Sequence, residues 1–103
     1  MKNATAITNT VTLESILCRS GEVLFAPVND EQAVMMSVES QRYYGLDSVG
    51  KRIWELLEEP MTVAAVAEWL LQEFEVDRQT CQAATLQFAQ ELIDHGVARV
   101  AAA

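Results

Sequence analysis

The sequence predicts an α+β domain in which a three-stranded antiparallel sheet is followed by three helices. Three observations predict it. Between residues 11 and 46, apolar side chains alternate with a period of two in short runs separated by turn-forming residues. From Asp47 onward the apolar period lengthens to that of a helix. Each helical stretch also opens on a side chain able to accept hydrogen bonds from the free first-turn N–H groups: Asp47 or Ser48, then Thr62, then Asp77. Neither layer can bury its apolar face alone, so sheet and helices must pack together.

Taken in order, residues 1–10, "MKNATAITNT", are small and polar and read as a flexible tail, which leaves a domain over 11–100. Four strand-like runs follow: "VTLESILCRS", "EVLFAPV", "QAVMMSVES" and "QRYYGL", punctuated by Gly21, Asn29–Asp30 and Ser40–Gln41. Val23 and Phe25 alternate with Leu24 and Ala26, and Val34, Met36 and Val38 with Met35 and Ser37. Connections this short suit an antiparallel meander, since parallel pairing needs long crossovers. In "DSVGKRIWELLEEP", Val49, Ile53, Leu56 and Leu57 share a helical face with Trp54 beside them, and Pro60 ends the segment. Thr62 opens the second helix, whose stripe is Val63, Val66, Ala67, Leu70, Leu71 and Phe74. Asp77 opens the third, with Cys81, Ala84, Thr85, Phe88 and Leu92 as its core stripe. Gly96 stands where a left-handed residue closes a helix, and "VARV" adds a small strand.

A chain of 103 residues makes one small domain, burying about 60–65% of its unfolded surface. Its net charge of -8 argues against nucleic acid and anionic membranes as partners. No apolar run reaches the roughly 18 residues of a membrane span, and the polar N-terminus lacks the apolar centre of a signal peptide. The expected location is the cytoplasm. There Cys18 and Cys81, which form no C-x-x-C pair, are expected to be reduced and structural.

Catalytic constellations are missing from the sequence. His95 is the sole histidine, so any Ser/His/Asp or Cys/His arrangement would have to use it. It falls in the last helical turn, where a histidine ordinarily complements the helix dipole. Clustered Cys and His ligands for zinc are absent, and Cys81 shares a core face with Phe88 and Leu92. Gly45 and Gly50 bracket a helix start without the wider phosphate-loop pattern. Glu58 and Glu59 are adjacent on a helix end and point apart. The expectation is a protein that is not an enzyme and uses no metal or cofactor.

The short link "EVD" between the second and third helices, with a small sheet alongside, gives the outline of a winged helix. Charge argues against DNA: the third helix sets Arg78 against Asp77, Glu91 and Asp94, and the second carries Glu68 and Glu73 with no basic residue. A winged-helix transcription-regulator subunit is the alternative function.

A three-stranded sheet has two edges of unpaired backbone groups. The strand Gln41, Arg42, Tyr43, Tyr44, Gly45 and Leu46 is the candidate edge for binding an extended peptide by strand addition. Tyr43 and Tyr44 project to opposite faces, Gly45 allows a bulge or close approach, and Arg42 is able to meet an acidic residue. On the third helix a flanking stripe of Gln82, Leu86, Ala89, Gln90 and Ile93 is the candidate groove wall; equally, Leu86 and Ile93 simply widen the core contact. Self-pairing of the same edge into a homodimer is a third reading.

The stretch "YYGLDSVGKRIWELLEEPMTVAAVAEWLLQEFEVD" and the closing "LIDHGV" resemble the PqqD-like proteins, or RiPP recognition elements, across residues 13 to 100. The matching features are the aromatic strand running into "GLDSVG", the "IWELLEEP" helix, the "TV" start of the second helix and the final turn. Leu46, Gly50, Ile53 and Trp54 match this pattern as core residues. The chain is most similar to the freestanding leader-binding proteins of lasso-peptide gene clusters. The resemblance implies a domain that captures the leader of a ribosomally made precursor peptide, which adds to the third strand and packs on the third helix. It implies as further partners a leader peptidase and a cyclase, or another maturation enzyme.

Overall fold

The computed structural model describes residues 11–101, so the expected tail over 1–10 lies outside the described residues. Six strands and three helices follow one another as β1 (Ile16–Arg19), β2 (Val23–Asn29), β3 (Gln32–Ser37), β4 (Arg42–Leu46), α1 (Ser48–Leu56), β5 (Met61–Thr62), α2 (Val63–Glu73), α3 (Arg78–Asp94) and β6 (Ala98–Val100). The fold is α+β, as expected, with an antiparallel meander β2-β3-β4. A second three-stranded sheet, β5-β1-β6, goes beyond the expectation.

That second sheet takes β1 away from the meander. Leu17 of β1 lies opposite Met61 on one side and Val100 on the other, and it is fully buried. Two very short strands from distant parts of the chain thus carry Leu17 into the core, beside Val63 and Val97.

Alternation along the meander sorts its side chains cleanly. Ala33, Met35, Ser37 and Leu46 are buried on the inner face. On the outer face Leu24, Met36 and Tyr43 form one cross-strand row, in which Leu24 is 60% and Tyr43 73% exposed. The turn before β4 holds Gln41 at φ 58, with its N–H donating to the Ser37 carbonyl at 2.7 Å. Gln41 therefore belongs to the turn, and the strand expected from position 41 begins at Arg42.

All three helix starts follow the sequence. Asp47 Oδ1 accepts from Gly50 N–H at 2.8 Å, Thr62 Oγ1 from Ala65 N–H at 3.1 Å, and Asp77 Oδ2 from Thr80 N–H at 2.9 Å. At Asp47 and Thr62 such caps contribute about 1 kcal/mol each. Past the cap of α3, Gly96 at φ 77 turns the chain toward β6, with Val97 N–H donating to the Leu92 carbonyl at 3.0 Å.

The core lies between the inner face of the meander and the helices. Trp54 is its largest side chain, 2% exposed, and the Arg19 guanidinium lies 4.4 Å from its ring centre while donating to the Trp54 carbonyl. Partial burial of Arg19 pulls its pKa down, against the opposing field of Glu58. Cys81 is buried with its thiol donating to the Ala67 carbonyl at 3.6 Å, and both Cys18 and Cys81 are free.

Candidate peptide-binding site

Strand β4 pairs with β3 on one side and with no strand on the other among the described residues. The opposite margin of the same sheet, β2, contains Pro27 and a register shift between Pro27 and Asn29. Proline lacks a backbone donor and a bulge twists the ladder, and both blunt an edge against pairing. No residue of β4 is a proline and its register against β3 is continuous. One margin is closed by sequence and the other is open.

Beside the open margin runs the second half of α3. The space between them is a cleft of about 310 Å³ lined by Met35, Tyr43, Tyr44, Gly45 and Leu46 from the sheet and by Phe88, Glu91, Leu92 and His95 from the helix. The Tyr44 and His95 rings stack with centroids 4.3 Å apart and planes 30° apart. Tyr44 and Leu46 point inward, whereas Tyr43 and Gly45 point to the outer face. A Cβ added at Gly45 would meet nothing within 4 Å, and Gly45 pairs regularly with Val34, so of the bulge or close approach that a glycine allows, no bulge is formed.

The expected strand residues Arg42, Tyr43, Tyr44, Gly45 and Leu46 thus stand together on the open margin. The expected helix stripe does not join them. At about 100° per residue, the line Ala84–Phe88–Glu91–His95 and the line Gln82–Leu86–Gln90–Ile93 flank opposite sides of the buried line Cys81–Thr85–Ala89–Leu92. The first flank faces β4. Ala89 is only 1% exposed, Leu86 and Ile93 pack against the core, and Gln90 accepts from Val11 N–H at 3.4 Å while donating to Asp94 at 3.0 Å. Periodicity marks the buried line of a helix; the direction of the chain decides which flank meets the sheet.

Two residues of the cleft were assigned other places from sequence. Phe88 was expected in the core and stands at its margin, and His95 was expected only at the helix dipole. The signal for His95 was its position four residues after Glu91 and seven after Phe88, on one helical line.

Electrostatics leave Arg42 available. Lys51 pairs with Glu55 at 3.4 Å, Arg52 with Glu73 at 2.8 Å and Glu55 at 3.6 Å, and Arg78 with Glu68. The hydrogen bond to Glu73 is what raises the Arg52 pKa most. Arg42, at the head of β4, makes no ion pair among the described residues. Among the described residues no group of three or more His, Cys, Asp and Glu is placed to hold a metal, and no helix is long and apolar enough to cross a membrane.

These features define a class: a small antiparallel meander with three helices, the last of which flanks an unpaired sheet edge. The chain belongs to the PqqD family, coenzyme PQQ synthesis protein D, whose sequence profile matches residues 32–98. That match runs from β3 through the start of β6 and includes the whole cleft. Among solved structures, TbiB1 in complex with the TbiA(beta) leader peptide is 30% identical, with a TM-score of 0.73 over 84% of this chain and 99% of that one. Lasso peptide synthetase B1 complexed with the leader peptide is 24% identical, with a TM-score of 0.67 over 81% and 96% of the two chains. The PqqD truncation of Methylobacterium extorquens PqqCD, a stand-alone RiPP recognition element, shares the fold at 20% identity, with a TM-score of 0.71 over 88% and 97%. No curated protein sequence matches the chain.

Proposed function

We propose that this protein is a non-catalytic adaptor that binds the leader segment of a ribosomally made precursor peptide, of the lasso class, and delivers it to the enzymes that process it in the cytoplasm. The leader adds as a strand to the free margin of β4 and lies against the Phe88–Glu91–His95 flank of α3. The observation that carries the reading is the contrast between the two margins of one sheet, β2 interrupted by Pro27 and β4 uninterrupted beside a cleft. Strand addition supplies backbone hydrogen bonds at no cost in side-chain specificity, and each contributes about 0.5–1.5 kcal/mol. Arg42 offers a charge for an acidic residue of the leader. Membership of the PqqD family and the 30% identity to TbiB1, a leader-bound protein, support the same reading.

The processing enzymes, a leader peptidase and a cyclase, act on the delivered peptide at raised local concentration. The DNA-binding alternative loses ground to the structure: Arg78, the cation of α3, is held by Glu68.

Backbone N-methylation tests the binding mode. The TbiA(beta) leader is titrated by calorimetry, with single N-methyl groups placed along it. Loss of affinity at every second position is the expected pattern, since alternate N–H groups of an added strand face β4. A scan in which N-methylation is harmless throughout, despite tight binding of the parent peptide, rules out strand addition. Self-pairing into a dimer would show as a larger particle in size-exclusion chromatography that leader dissociates.

A further inference from the structure

Gly45 has no reason within the described chain to be a glycine. Its φ lies outside the left-handed region in which Gly21 and Gly96 stand. A Cβ added to it would meet nothing within 4 Å, and its pairing with Val34 is regular. A glycine inside a strand has no side chain to pack and loses more backbone freedom on folding than any other residue. The use that remains for it is close approach by a group from outside the chain.

The outer face around Gly45 shows where such a group fits. Across the three strands of the meander, Ala26, Val34 and Gly45 stand in one row and Leu24, Met36 and Tyr43 in the next. The first row is low and the second tall, so a shallow trough crosses the sheet alongside the tall row. Neither row carries a charged side chain, although the chain as a whole has a net charge of -8. The trough opens at Gly45 on the free margin, where the exposed Tyr43 ring stands beside it.

We propose that this trough is a subsite for one aromatic side chain of the peptide that pairs with β4, supplied by the peptide residue directly opposite Gly45. The assignment rests on the strand-addition reading. Directly opposite residues of an antiparallel pair project to the same face, so this side chain points outward, away from α3, as position 45 does. Neighbouring strands lie about 4.8 Å apart, which puts Val34 roughly 10 Å from the added strand. A Phe or Tyr side chain spans the bare Gly45 backbone, ends against Val34 and lays its flank on Tyr43, whereas alanine or valine stops short. Any side chain at position 45 would stand in its path. The cleft beside α3 then reads one face of the peptide and the trough reads the other, so alternate residues of one extended segment are selected on opposite sides.

Peptides selected from a random phage-displayed library on the full chain are the probe, and NMR contacts to the Gly45 backbone identify the peptide residue opposite it. Phenylalanine at that position is expected to bind about threefold to tenfold tighter than alanine, with its ring protons close to the Val34 methyl groups. Gly45→Ala is expected to bring the two peptides to within about twofold of each other, while the thermal midpoint of the free protein stays level or rises. Equal affinity of the two peptides for the native chain, or an equal loss of both on Gly45→Ala, overturns the subsite and leaves strand addition standing. Val34 methyl signals that move with protein concentration alone put a second copy over the trough and overturn the subsite as well. If no selected peptide moves the amides of Arg42–Leu46, subsite and strand addition fall together.

Discussion

The ring of Tyr44 lies against the imidazole of His95, 4.3 Å between centroids and 30° between planes. This contact ties the middle of β4 to the cap residue of α3, across the cleft that the two elements border. His95 is exposed and Tyr44 half-buried, so the pair sits at the rim of the core. An aromatic pair contributes about 0.5–1.5 kcal/mol beyond its burial, which is small against the apolar contacts behind it. Its effect is on the shape of the cleft.

His95→Ala is therefore expected to weaken leader binding by about threefold to tenfold and to move the thermal midpoint by only a few degrees, about what 1 kcal/mol does in a domain of this size. Calorimetric titration and a melting curve on the same sample check it. Unchanged affinity together with shifted β4 amides would mean that the stack is incidental to the cleft.

Leu86→Asp and Ile93→Asp separate the two flanks of α3. Both residues pack against the core on the side away from β4. A carboxylate there loses hydration without gaining a partner, at a cost of about 1–3 kcal/mol. Urea unfolding is expected to show that loss, while the folded fraction binds leader with unaltered affinity. A large drop in affinity at constant stability would instead make this flank the groove wall.

How far the sequence reaches is visible in these two residues and in His95. The caps Asp47, Thr62 and Asp77 and the buried line of each helix were legible, because both depend on neighbours within one turn. The choice between the flanks of α3 was not, because Leu86 and Phe88 border the same buried line and only the packing of the chain tells them apart. The partner of His95 is equally remote in sequence. Strand β1 left the meander for Met61–Thr62 and Ala98–Val100, partners of two and three residues that are too short to show alternation. The open margin at "RYYGL" was legible because strand order in a meander follows chain order, which puts the last strand at an edge.

Trp54→Ala removes the largest buried side chain and the surface on which Arg19 lies. The expected loss is about 3–5 kcal/mol, read as a fall in the urea midpoint at unchanged slope. Arg19→Met, which keeps the stem but not the charge, is expected to lose only a fraction of that.

Asp77 makes the stability of α3 depend on pH. Its carboxylate accepts from Thr80 N–H at 2.9 Å and from the Thr80 hydroxyl at 2.7 Å, and the backbone bond foremost holds its pKa below the ordinary 3.8. A carboxyl depressed on folding contributes stability above its unfolded pKa and loses it as pH falls through the lower, folded value. Asp77→Asn retains a capping oxygen but does not titrate. The stability difference between the two proteins is therefore expected to be constant from neutral pH down to about pH 5 and to shift against the native protein below pH 3.8. Urea unfolding of both at a series of pH values measures it, and a difference that stays flat into strong acid would show that the Asp77 carboxylate does not hold the first turn of α3.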